Sequence, residues 1–129
     1  MKNKPLILIL EDDEITQLVY MGMFSKSPDF DIVLCKNDKE LYVALEKQHF
    51  DLFLVDLGLS KSKDGLQIIK ELRQMDLYTN TPIIVVSAYT MLQDEQECMA
   101  AGANKFIRKP FEMNHLRSEI KKLMDSKPS

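Results

Sequence analysis

The chain predicts an α/β fold: a five-stranded parallel sheet, doubly wound, with helices on both faces. Three observations predict it. Short apolar runs begin near residues 6, 31, 52, 83 and 106, and they are continuous rather than alternating, as strands covered on both faces require. Strands so covered are normally parallel, and parallel neighbours need a crossover of about a dozen residues or more, which every gap supplies. Each gap, and the stretch after the last run, carries an apolar helical period.

The elements follow in order. Leu6 to Leu10 is the first strand, and residues 14–26 form the first crossover helix, with Ile15, Leu18, Val19 and Met23 as its apolar stripe. The second helix spans about 38–48, with Leu41, Ala44 and Leu45 on one face and Asp38 as its N-cap. The third starts at Asp64-Gly65 and carries Leu66, Ile68, Ile69 and Leu72. The fourth runs from about Met91 to Ala101, where Gly102 supplies the left-handed residue that closes a helix. The last, about 112–124, carries Leu116, Ile120 and Leu123.

A length of 129 residues fits one domain, residues 1–129, with a core from about 5 to 124 and a tail from 125 to 129. The 45% hydrophobic and 29% charged content is that of an ordinary globular protein. A net charge of −3 argues against direct contact with nucleic acid, and Lys121-Lys122 reads as a solvated helix face. Cys35 and Cys98 read as small core residues, because two cysteines make neither a disulfide framework nor a metal cluster. No apolar stretch approaches the length of a membrane span, so a cytoplasmic setting is expected.

Four of the apolar runs end beside polar groups. The first leads into Glu11-Asp12-Asp13, the third stops at Asp56, the fourth at Ser87, and Phe106-Ile107 leads to Lys109-Pro110. In a parallel sheet these ends share one edge. Two unit charges about 4 Å apart repel by roughly 4 kcal/mol at an effective dielectric of 20, so paired carboxylates there call for neutralisation. A hard divalent cation with oxygen ligands meets that need. Asp13 and Glu14 read instead as helix-capping acids near the positive end of the first helix. Asp56 precedes no immediate helix, so it is read as a metal ligand or a nucleophile. Pro110 pushes the backbone of Lys109 toward an extended geometry, with a peptide bond that can be cis, and this aims its side chain over the sheet edge. Arg108, by strand alternation, faces solvent. Phe106 reads as core packing. Such a set suits phosphoryl transfer, which needs positioning and charge stabilisation.

Glu11-Asp12, Asp56, Ser87-Ala88 and Lys109-Pro110-Phe111, in this order and spacing, resemble the receiver domain of two-component response regulators. Asp64-Gly65-Leu66 and Ala101-Gly102-Ala103 fit the same pattern, and the resemblance covers about residues 5–124. It implies the flavodoxin-like strand order 2-1-3-4-5. It also implies that Asp56 accepts a phosphoryl group from a histidine kinase or a histidine phosphotransfer protein. Glu11, Asp12, Asp56 and the carbonyl of Gly58 would hold Mg²⁺ or Mn²⁺. Ser87 and Lys109 would contact the phosphoryl oxygens, and Phe106 would take the switch-aromatic position. Gly58 and Tyr89 occupy places that tune phosphoryl lifetime, so Tyr89 is expected to shield the acyl phosphate from water. The implied output face lies around the fourth helix, fifth strand and fifth helix, serving a downstream protein or linked output domain. The implied assembly is a monomer or a phosphorylation-dependent dimer. Leu59-Ser60 departs from the family's usual Met-Pro, and Ser87 from its commoner Thr.

Other readings weigh less. An aspartyl-phosphate phosphohydrolase commonly has an Asp-x-Asp element after its first strand, where this chain has Glu11-Asp12-Asp13. A flavin or nucleotide binder would cradle phosphate in a glycine-rich first loop that these acids would repel. A pseudo-receiver, folded alike but unphosphorylated, is disfavoured by the intact acidic set, Ser87 and Lys109.

Overall fold

Leucine and isoleucine at every position of Leu6–Leu10 commit β1 to burial on both sides, and the computed structural model places it second from one edge of a five-stranded parallel sheet. The structure describes residues 4–57, 62–88 and 92–125, with the side chains of 62–64, 92 and 93 left aside. The other strands are β2 (Asp31–Cys35), β3 (Leu52–Leu57), β4 (Ile83–Ser87) and β5 (Lys105–Arg108). Their order is β2-β1-β3-β4-β5, as the resemblance implied. The helices are α1 (Glu14–Phe24), α2 (Asp38–Lys47), α3 (Ser62–Gln74), α4 (Leu92–Ala101) and α5 (Met113–Asp125). Among the described residues no helix is long and apolar enough to cross a membrane.

Two apolar layers hold the sheet. On one face Leu8, Leu10, Phe53, Val55, Ile83, Val85 and Phe106 pack with Leu41 of α2 and Ile68, Ile69 and Leu72 of α3. On the other, Ile7, Ile9, Leu52, Leu54, Ile84, Val86 and Ile107 pack with Tyr20 and Phe24 of α1 and Leu116 and Ile120 of α5. Burying a large apolar side chain contributes about 1.5–3 kcal/mol, which makes these layers the main favourable term.

Two expectations are corrected. Of the expected stripe Met23 packs against the core, but Ile15, Leu18 and Val19 are exposed at 73%, 67% and 54%, while Tyr20 and Phe24 are buried at 1% each. Both sides of α1 are apolar, and the larger aromatic pair takes the core. The N-cap of α2 is Asn37, not Asp38: its side chain accepts from the amide of Glu40 at 2.9 Å, and Glu40 reaches back to the amide of Lys36 at 2.7 Å. A 3₁₀ turn at Asp76–Tyr78, absent from the sequence reading, precedes β4.

Arg73 ties the far end of α3 to its surroundings. Its guanidinium donates to the carbonyls of Gly102, Tyr78 and Thr81 at 2.9, 2.8 and 2.6 Å, and to Oδ1 of Asn104 at 2.7 Å. Gly102 takes a φ of +125° here, and a Cβ on it would lie 2.6 Å from Cγ of Arg73. The helix-closing glycine is therefore required both by its dihedral and by the arginine stem beside it.

Cys35 and Cys98 are 2% and 1% exposed, and burial pushes both thiols up to about 11. The thiolate is the nucleophile, so both are expected to resist iodoacetamide at pH 8 in the native protein. Peptide mass mapping should find them alkylated only in denaturant; modification of native protein at a free-thiol rate would contradict this packing.

Candidate functional site

Strand register builds the site. Leu10 lies opposite Val55, so the next residue on each strand, Glu11 and Asp56, come abreast at the carboxyl edge. Ser87 lies opposite Leu57 on one side and Arg108 on the other, which brings Lys109 to the same edge. The backbone N–H of Lys109 donates to the carbonyl of Ser87 at 2.8 Å, and the Lys109–Pro110 peptide bond is cis.

The Asp56 side chain is wholly buried. Its Oδ1 lies 2.9 Å from Nζ of Lys109, yet among the described residues Oδ1 accepts no directed hydrogen bond, so the contact is an ion pair by proximity. Its Oδ2 accepts a hydrogen bond from the hydroxyl of Tyr20 at 2.5 Å. Of Glu11, Tyr20 and Lys109, only the lysine reaches solvent appreciably, its side chain being 29% exposed.

Glu11 is also buried, and its Oε2 accepts the amide of Asp13 at 2.8 Å. Burial, with Asp56 and Asp12 adding to it against that hydrogen bond, pushes its carboxyl up to about 8. Asp12 is exposed at the rim. Asp13 caps α1, accepting from the amide and hydroxyl of Thr16 at 2.8 Å each; these bonds hold its carboxyl below the usual range. That is the capping role expected of it.

A cavity of about 460 Å³ opens where β1 and β3 end, lined by Glu11, Asp12 and Asp56 and, across from them, Lys36, Gln67 and Glu71. Gly65 lets α3 approach this edge: a Cβ there would fall 2.0 Å from Cδ2 of Leu57. The donors fit a hard cation. They are carboxylate oxygens, one of them buried without a directed hydrogen-bond donor among the described residues. Among the described residues no group of three acid, histidine or cysteine side chains is arranged to hold a metal ion. Mg²⁺ keeps several waters and is commonly held by one or two carboxylates, so an open set suits it.

Ser87 is buried, and Phe106 is 8% exposed within the α2–α3 layer. Arg108 lies over the Phe106 ring at 5.5 Å and pairs with Glu95 of α4 at 2.9 Å, its side chain 43% exposed, in keeping with a solvent-facing position. Gly58 and Tyr89, expected to tune phosphoryl lifetime, lie outside the described residues, as do Leu59 and Ser60. Sequence reasoning missed Tyr20. Its signal was the spacing Asp13, Thr16, Tyr20, Phe24, a second helical stripe directly beneath the N-cap.

A parallel sheet of order 2-1-3-4-5 with two buried acids and a lysine at its carboxyl edge defines the flavodoxin-like, CheY-like class. The response regulator receiver domain matches residues 7–121, and the chain belongs to this family of two-component signalling domains. The transcriptional regulatory protein KdpE of Staphylococcus aureus is 35% identical over 116 residues, covering 89% of this chain and 48% of that protein. The chain spans about half or less of the length of the curated relatives it matches. Among solved structures, a response regulator from Thermotoga maritima is 27% identical, with a TM-score of 0.82 over 96% of this chain and all of that one. The receiver domain of the Pseudomonas aeruginosa sensor histidine kinase PA1611, described with magnesium coordinated in its active-site cleft, is 25% identical. Its TM-score is 0.78, over 96% of this chain and 100% of that one.

Proposed function

We propose that Asp56 is a phosphoacceptor, receiving a phosphoryl group from a phosphohistidine on a sensor kinase or phosphotransfer protein in a reaction that depends on Mg²⁺ or Mn²⁺. The observation that carries this reading is the buried Asp56 carboxylate, ion-paired with Lys109 at 2.9 Å and abreast of Glu11. Residues 1–129 act as one receiver domain in a cytoplasmic setting.

Oδ1 of Asp56 is the attacking atom, because Oδ2 is engaged by Tyr20. As the oxygen–phosphorus bond forms, the bond from phosphorus to the donor nitrogen breaks and its electron pair leaves with the imidazole. Lys109 then turns from the carboxylate to the phosphoryl oxygens, with the Ser87 hydroxyl beside them. Glu11, Asp12, Asp56 and the Gly58 carbonyl would hold the cation, which when bound supplies positive charge to the phosphoryl oxygens. Tyr89 screens the product from water.

The switch reading rests on Ser87 and Phe106. They lie two steps apart in paired register, since Val85 is opposite Phe106, and the Ser87 carbonyl holds the Lys109 amide. A shift of Ser87 toward a phosphoryl group would change how Phe106 packs, and with it the face formed by α4, β5 and α5. Ion pairs Arg108–Glu95 and Lys105–Glu119, at 2.9 and 3.6 Å, stitch that face. A downstream protein or linked output domain would read it, and phosphorylation would govern whether the domain stays monomeric or dimerises.

Acetyl phosphate with Mg²⁺, followed by intact mass, tests the chemistry. The expected result is one added phosphoryl on the wild-type chain and none on Asp56→Asn or in excess chelator. A wild-type chain that gains nothing would make the domain a pseudo-receiver.

A further inference from the structure

The contact between Tyr20 and Asp56 joins groups 36 residues apart, and both side chains are buried. A buried tyrosine hydroxyl needs an acceptor, and Asp56 supplies one. The acceptor in this case is one of the two oxygens of the proposed nucleophile, while the other faces Lys109. The hydroxyl therefore acts on whatever charge that carboxylate carries.

We propose that the Tyr20 hydroxyl is a brake on phosphorylation: it stabilises the free Asp56 carboxylate more than the acyl phosphate, keeping the domain biased toward its unphosphorylated form. This deepens the phosphoacceptor reading and rests on it. A hydrogen bond to a full carboxylate charge is roughly twice as strong as one to a neutral carbonyl. On phosphorylation Oδ1 becomes the bridging oxygen and Oδ2 a neutral carbonyl oxygen. The Tyr20 bond survives in weakened form.

Both rates respond, in opposite directions. In the forward step the carboxylate carries full charge in the ground state and only part of it in the transition state, so the donor holds the reactant back. In hydrolysis, water oxygen bonds to phosphorus as the Asp56 Oδ1–phosphorus bond breaks. The electron pair returns to the carboxylate, and the water proton passes to the phosphate or to solvent. The transition state is loose, so charge is already building on Asp56, and the donor assists its departure. One hydroxyl slows loading and speeds unloading.

Tyr20→Phe removes only the hydroxyl and keeps the ring against Phe24. With acetyl phosphate and Mg²⁺ it is expected to phosphorylate faster and, after the donor is removed, to hydrolyse more slowly, each on the order of threefold. Site-specific 3-fluorotyrosine at position 20, a stronger donor differing by one atom, should move both rates the other way, and it carries the test if Tyr20→Phe folds poorly. Unchanged rates, or two rates moving in the same direction as general loosening would cause, overturn the brake while leaving Asp56 as the acceptor. A wild-type chain that takes up no phosphoryl group overturns the acceptor reading first, and this one with it.

Discussion

Lys109→Met is expected to slow phosphorylation by acetyl phosphate at least about tenfold and to destabilise the fold by about 1–3 kcal/mol. The two effects have one origin. The Asp56 side chain is fully enclosed and among the described residues its Oδ1 has no directed hydrogen-bond donor, so the ammonium at 2.9 Å supplies the positive charge beside it. Glu11, abreast of it, is itself a carboxyl pushed up to about 8 chiefly by burial, and supplies no positive charge to offset it. Removing one partner of a buried pair strands the other, which costs more than the pair itself was worth. The lysine side chain is 29% exposed, so water screens part of the attraction and the lower half of the range is the better expectation. Urea denaturation of Lys109→Met, alone and combined with Asp56→Asn, separates the origins. The lysine substitution should cost little once residue 56 is neutral; an equal loss in both backgrounds would mean that Lys109 acts through packing of its stem.

Arg73→Met is expected to cost the fold about 2–4 kcal/mol. The guanidinium serves three carbonyls and one amide oxygen from four stretches of chain: the turn after α3, the approach to β4, the end of α4 and the start of β5. Methionine fills the stem and leaves those acceptors without a donor. Bonds from a charged donor are each worth about 1.5–3 kcal/mol, but they share one group and do not add. Thermal unfolding should fall by roughly 3–5 °C per kcal/mol for a domain of this size. Arg73→Lys should recover only part, because an ammonium cannot span the fork. A midpoint within a degree or two of wild type would show that water replaces the guanidinium without penalty.

How legible this protein was in its residues depended on distance along the chain. Strands were legible because burial on both faces leaves an unbroken apolar run, as in Ile83 to Val86, and because each polar residue that ends a run marks the sheet edge. Glu11, Asp56 and Lys109 each follow such a run, and the structure brings them to one edge, with Asp12 exposed at the rim. Helix facing was less legible. In α1 apolar residues occupy Ile15, Leu18 and Val19 as well as Tyr20 and Phe24, so periodicity alone allows two opposite faces, and side-chain size decided. Cap identity failed by one residue because Asn37 and Asp38 are chemically equivalent as acceptors. The Tyr20 contact to Asp56 and the four bonds of Arg73 carry no local pattern; they exist only once α1 and α3 have docked.

Parity along β3 has a genetic consequence. Neighbouring side chains on a strand point to opposite faces, so Asp56 shares its facing with Leu52 and Leu54, toward α1, while Leu57 faces with Phe53 and Val55, toward α3. Deleting one residue within β3 would turn the acid away from Tyr20 and present Leu57 in its place, and adding one ahead of Val55 would present Val55. A two-residue change would restore the facing but displace the carboxylate by about 6.6 Å along the strand. The strand is thus read in a frame of two, and insertions that evolution or engineering can retain here must fall beyond its ends.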